Sequence, residues 1–293
     1  MTDTSAETPI AELEEMGRQI RVLVLEAVAH AGAGHIGGPL SAADILAALY
    51  FRVLRIRPDE PDWEDRDRFV LSKGHCAIGL YAAMARRGFF PIEELKTFDA
   101  IDSRLQGHPD MSVLPGLDMS SGSLGLGFSA ALGMAMGARA MGRSYTTFAL
   151  LGDGECNEGI VWEGAHVARR FGLDNLVAII DHNRLQQFGW RGATPAERTS
   201  PYEAGELASR WAAFGWQVEE IDGHDMKAVV DALEDARDAS GPVAVVALTT
   251  KGRGVSFMEG SYPWHSQVPD PVELRQALEE LGMPDGILGR SGR

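Results

Sequence analysis

The 293-residue chain is 45% hydrophobic and 24% charged, ordinary values for a globular protein with room for one large domain and a substantial core. Asp and Glu outnumber Lys and Arg by 42 to 27, a net charge of −15 that disfavours a nucleic-acid-binding surface. No run of apolar residues is long enough to span a membrane, Met1 to Pro9 lacks the basic start and apolar core of a signal peptide, and the two cysteines, Cys76 and Cys156, have no metal-like spacing. These features predict a cytoplasmic protein with neither nucleic-acid nor membrane partners, one domain over residues 1–293, and flexible tails at 1–9 and 284–293.

Thr8-Pro9 reads as an N-cap with proline in the first turn, opening an amphipathic helix from about Ile10 to His30. The glycine-rich stretch Ala31 to Pro39 places His35 on a loop, and Ser41-x-x-Asp44 reads as a capping box for a helix to about Leu54. A short strand over Arg66–Leu71 leads into Ser72-Lys73-Gly74-His75, followed by a helix near Ala77 to Arg87. Gly107-His108-Pro109 then gives a third Gly-His loop after those at His35 and His75, and the three are expected to converge on one polar pocket.

Gly122-Ser123-Leu124-Gly125 opens a helix of small residues through Gly137. Gly125-x-Gly127-x-x-Ala130 has the spacing of a dinucleotide fingerprint, but no apolar strand precedes it, so the small residues read as helix packing.

The motif around which the chain is arranged comes next. Thr147–Leu151 is a buried strand by its apolar run, and Gly152-Asp153-Gly154 turns tightly at its carboxyl end, where open α/β sheets bind ligands. A helix over Asn157–Arg170 separates it from a second apolar run, Leu176–Ile180, which ends in Asp181-His182-Asn183. Two neighbouring strand ends thus offer a carboxylate and an amide oxygen. Such hard oxygen ligands suit Mg²⁺ completing its octahedron with water and a ligand's phosphates, and the intervening helix would point its free N–H groups at the same anion.

Arg184 to Pro201 is a polar loop. Beyond it a helix over Tyr202–Phe214, a strand over Gln217–Ile221, a helix over Asp225–Ala239 and a strand over Val243–Leu248 restore the alternation of strand and helix. That alternation predicts an α/β fold, doubly wound, with a mostly parallel sheet and helices on both faces. The last strand delivers Lys251-Gly252-Arg253-Gly254 at a carboxyl end, followed by Trp264-His265 and a helix starting near Pro271.

Gly152-Asp153-Gly154 with Asn183 resembles the thiamine diphosphate motif. Together with Gly34-His35, Lys73-Gly74-His75, Gly107-His108-Pro109, Gly122 to Gly125, Glu158-Gly159, Asn183-Arg184-Leu185, Lys251 to Gly254 and Trp264-His265, the chain resembles the amino-terminal, diphosphate-binding half of the transketolase family over roughly residues 10–270. Ile36, Ser123 and Leu126 stand where proline, proline and glutamine are usual in that family.

The resemblance implies thiamine diphosphate and Mg²⁺, with Ca²⁺ or Mn²⁺ as substitutes. It implies metal ligation by Asp153, the Asn183 side chain and the Leu185 carbonyl, and cofactor contacts from His75, Gly122, Ser123, Leu124, Gly154, Glu155, Asn183, Lys251 and His265. His35, His108 and His265 would act on the sugar. The implied reaction moves a two-carbon ketol unit from a ketose phosphate to an aldose. Full transketolases are about twice as long, so the pyrimidine-binding domain and its catalytic glutamate are expected on a partner subunit, in an α2β2 assembly. The rival readings are an alpha-type subunit of a 2-oxo-acid dehydrogenase, which has the Gly-Asp-Gly and Asn but is not expected to have three Gly-His loops, and a non-catalytic binding protein of the same fold.

Overall fold

A computed structural model describes residues 8–187 and 205–289. In chain order its main elements are α1 (Ile10–Ala31), α2 (Gly37–Ala48), β1 (Arg68–Leu71), α3 (Ala77–Arg87), α4 (Leu126–Ala140), β2 (Thr147–Gly152), α5 (Gly159–Phe171), β3 (Leu176–His182), α6 (Glu206–Ala213), β4 (Gln217–Asp222), α7 (Met226–Arg237), β5 (Val243–Leu248) and α8 (Pro271–Glu280). The strands form one sheet in the order β1-β2-β3-β5-β4. Every pairing is parallel.

Strand side chains alternate between two faces, and each face has its own apolar core. Phe148 and Leu150 of β2, Val177 and Ile179 of β3, and Val243 and Val245 of β5 pack with the helices α1, α2, α3, α7 and α8. Their neighbours Ala149, Leu151, Ala178, Ile180, Ala244 and Val246 pack with α4, α5 and α6. Burial on both faces is why these strands are continuously apolar in sequence. The doubly wound parallel sheet is as expected.

Several local expectations need correction. Thr8 does not cap α1: its hydroxyl donates to the Phe51 carbonyl at 2.7 Å, and the cap position is Pro9. Ser41 and Asp44 form no capping box. The α2 helix begins four residues earlier, at Gly37, and both side chains are buried within it, with Ser41 2.6 Å from Asp181 and Asp44 clasped by Arg21. The turn before α5 is separate from the helix, which starts at Gly159 and not at Asn157.

The carboxyl-terminal stretch also departs from expectation. Pro284 to Gly289 folds back on α1, where Glu26 accepts the N–H groups of Ile287 and Leu288 at 2.8 and 3.0 Å and Leu288 is buried. Residues 1–7 and 290–293 lie outside the described residues, as do most of the Arg184–Pro201 loop and the expected helix start at Tyr202. Among the described residues no helix is long and apolar enough to cross a membrane.

Candidate active site

A cleft of about 490 Å³ opens at the carboxyl ends of β1, β2, β3 and β5. Its size falls within the usual span for cofactor sites. One wall comes from Asp153, Gly154, Asn183 and Leu185, and the other from His35, His75, Lys251 and His265.

On the first wall, Asp153 is 3% exposed. Its carboxylate accepts the N–H of Gly154 at 2.9 Å and of Arg184 at 3.1 Å. The second bond exists because Arg184 adopts a positive φ of 64°, which turns the chain back toward β2. Among the described residues no lysine or arginine pairs with Asp153, and burial, reinforced by the nearby Asp181 charge, pushes its carboxyl up to about 6. Asn183 Oδ1 accepts the Leu185 N–H at 3.2 Å and keeps a second lone pair. The Leu185 carbonyl accepts from the Lys251 ammonium at 3.0 Å, so this oxygen already faces a cation. A buried carboxylate with no lysine or arginine paired to it, an amide oxygen and a cation-facing carbonyl suit a small divalent ion.

Beneath the cleft Asp181 is fully buried and is contacted by Lys73, Ser41 and Thr249. Burial alone would raise its carboxyl, but the Lys73 ammonium and the two hydroxyls outweigh burial and hold it below the usual range. The Asp181–Lys73 pair thus ties β3 to the turn after β1.

On the second wall three imidazoles meet, but not the three that the Gly-His loops led us to expect: His265, and not His108, joins His35 and His75. The His35 ring centroid is 5.1 Å from that of His75 and 4.9 Å from that of His265, and His75 and His265 are 5.3 Å apart. Burial lowers all three, His75 to about 2 and His265 to about 3, so each is neutral at physiological pH. His108 stands 6.2 Å from His35, and neither it nor Ser123 lines the cleft. Gly122 and Leu124 do.

Glu155 borders the cleft, but its carboxylate is turned inward, accepting from Ser72 and from the N–H groups of Gly125 at 2.7 Å and Gly152 at 3.2 Å. It holds the turn before α4, where Gly125 has a positive φ of 82°.

The family model described as transketolase, thiamine diphosphate binding domain, matches residues 13–286. The chain belongs to the transketolase family. Among relatives in that family, it is 42% identical to a 6-deoxy-6-sulfo-D-fructose transketolase subunit of Clostridium sp. (strain MSTE9), covering 92% of this chain and 96% of the relative. It is 41% identical to an apulose-4-phosphate transketolase subunit of Phocaeicola vulgatus, covering 93% and 94%.

Among solved structures, Campylobacter jejuni transketolase superposes with a TM-score of 0.84 at 31% identity, and Leishmania mexicana transketolase with 0.84 at 28%. This chain covers 44% and 42% of those two longer proteins. It is a thiamine diphosphate-binding transketolase domain, part of a transferase.

Sequence reasoning missed three features in and around this cleft. Gln186 lines the cleft and accepts from Asn157 at 2.8 Å. The buried Lys73–Asp181 pair supports the floor. A fourth Gly-His pair, Gly223-His224, sits at the carboxyl end of β4, and its signal is the same dipeptide that marked the other three.

Proposed function

We propose that this chain is the diphosphate-binding subunit of a two-chain, cytoplasmic transketolase, working as α2β2 with a partner that carries the pyrimidine-binding domain and its glutamate. The substrates are a ketose phosphate and an aldose or aldose phosphate. The observation that carries this reading is one cleft with a cation-seeking wall, Asp153, Asn183 and the Leu185 carbonyl, opposite a wall of neutral imidazoles. Relatives bearing the word subunit in their names, matched over nearly their whole length, support the two-chain assembly. Three imidazoles in the cleft favour a hydroxyl-rich sugar over a 2-oxo acid.

Asp153, Asn183 Oδ1 and the Leu185 carbonyl would hold Mg²⁺ against the diphosphate, while Lys251 supplies a further positive charge and Gly154 lets the backbone come close. Gly122 and Leu124 would border the rest of the cofactor. Glu155 acts through the glycine turn it fixes, and Ser123 is exposed beside that turn. When bound, thiamine diphosphate supplies a nucleophilic thiazolium carbon able to carry the two-carbon unit.

This chain's own contribution to the chemistry is proton placement. Lys251 donates to His265 Nδ1 at 2.9 Å, so the His265 proton resides on Nε2, available to a sugar carbonyl oxygen. His35, and His108 beside it, would accept from sugar hydroxyls, and a neutral imidazole can take the proton released as a hydroxyl becomes a carbonyl. Purifying the chain with a candidate partner and assaying bound thiamine diphosphate and divalent metal tests this assignment. Stoichiometric cofactor in the complex supports it, and a complex that excludes thiamine diphosphate at saturating Mg²⁺ contradicts it.

A further inference from the structure

The fourth Gly-His pair lies outside the imidazole cluster, at the end of the edge strand β4. The His224 side chain is 9% exposed. Its Nε2 accepts the backbone N–H of Thr250 at 2.8 Å, and its Nδ1 lies 2.8 Å from Asp44 Oδ2. Because Nε2 accepts, the proton is on Nδ1 and is donated to Asp44, which fixes the tautomer. Asp44 is itself held by Arg21 through contacts of 2.9 and 2.6 Å. A continuous chain of polar contacts therefore runs from α1 through α2 to the turn after β5.

That turn carries Lys251. On its near side Thr249 is tied to Asp181, and on its far side the Gly252 N–H reaches the Gly37 carbonyl at 3.0 Å. Between them, the Thr250 N–H is held by His224. The two strand ends approach so closely that a Cβ on Gly223 would come within 2.5 Å of the Thr249 side chain, so glycine before His224 is a requirement of the packing. Asp44 and His224 do not themselves line the cleft.

We propose that His224, oriented by Asp44, is a positioning residue that sets the Thr249–Lys251 turn so that the Lys251 ammonium meets the cofactor's diphosphate. The inference rests on the reading of the cleft given above and deepens it. It places an effect of His224 on cofactor affinity, exerted through Lys251.

Two substitutions separate positioning from a general structural role. In His224→Asn the side-chain amide occupies the Nδ1 position, keeping the donor to Asp44 and losing the acceptor for Thr250. In His224→Gln the amide oxygen reaches the Nε2 position and keeps that acceptor. Thiamine diphosphate is titrated into the full chain with Mg²⁺, Thr250 amide exchange is followed alongside, and Lys251→Ala serves as reference. His224→Asn should weaken binding about tenfold and speed Thr250 exchange by a similar factor, while His224→Gln stays within about threefold of wild type. Combining His224→Asn with Lys251→Ala should cost no more than Lys251→Ala alone, because the two act as one unit.

Wild-type affinity in His224→Asn, or losses in the two His224 variants that track only their melting temperatures, overturns the proposal. Additive losses in the double variant also overturn it. Wild-type affinity in Lys251→Ala overturns the underlying reading of the cleft and the proposal with it, and that failure is distinguishable because the exchange measurement does not involve the cofactor.

Discussion

Lys251 Nζ lies 2.9 Å from His265 Nδ1, and the same ammonium donates to the Leu185 carbonyl at 3.0 Å. One side chain thereby joins the metal-seeking wall of the cleft to the imidazole wall. Burial pushes this lysine down to about 8, which leaves it charged at neutral pH. Lys251→Met, similar in length but without charge, should weaken thiamine diphosphate binding by about tenfold or more, the loss of one charge-assisted hydrogen bond. Titration of the assembled enzyme with cofactor at saturating Mg²⁺ measures this. Unchanged affinity would remove Lys251 from the diphosphate site.

Asp153 is nearly inaccessible, and among the described residues no lysine or arginine pairs with it. Asp153→Asn removes a buried charge, so the cofactor-free chain should melt at a higher temperature than wild type. The same substitution should lower Mg²⁺-dependent cofactor affinity by at least ~2 kcal/mol, roughly thirty-fold. Opposite signs in the two measurements are the diagnostic. A variant less stable without cofactor would show that Asp153 serves folding before binding.

Asp44 gives a pH prediction. Burial would raise its carboxyl, but Arg21 and His224 outweigh burial and bring it to about 2 from an ordinary 3.8. A depressed carboxyl contributes stability that is complete above the unfolded value and is lost as pH falls from about 4 toward 2. Asp44→Asn should therefore cost on the order of 2 kcal/mol at pH 6 and progressively less below pH 4. Urea unfolding of both proteins across that range checks the sign. A stability difference that persists unchanged at pH 3 would contradict it.

His265 lines the cleft and His108 stands beside it, each on a connecting segment outside the sheet. His265→Ala and His108→Ala should each keep the melting temperature within a few degrees while ketol transfer falls about 10²-fold. Thermal unfolding and steady-state rates on the same preparations provide the comparison. Stability loss with proportionate activity loss would assign these residues to folding.

Much of this was legible in the sequence, for identifiable reasons. Strands β2, β3 and β5 are buried on both faces and so appear as apolar runs, and their polar tips mark Asp153, Asn183 and Lys251. Of the three Gly-His loops expected to converge, those of His35 and His75 do meet in the cleft, while the third imidazole there is His265, to which the family resemblance pointed and the Gly-His pattern did not. What failed was whatever depends on a distant partner. Ser41 and Asp44 have the spacing of a helix start, yet Ser41 meets Asp181 across 140 positions and Asp44 meets His224 across 180. Local spacing carries no information about such contacts. The inward turn of Glu155 toward Gly125 was hidden in the same way, and so was the return of Leu288 onto α1.

Ketol transfer itself, measured with a coupled transketolase assay in thiamine diphosphate and Mg²⁺, provides the most direct test. The assay is run on this chain alone, on a protein resembling the carboxyl-terminal half of transketolase alone, and on the mixture, with a ketose phosphate donor such as xylulose 5-phosphate and an aldose acceptor. Activity confined to the mixture, and abolished there by Asp153→Ala, is the predicted result. Full activity from this chain alone, or a stable mixed complex that binds cofactor but transfers no ketol unit from any ketose phosphate, would contradict it.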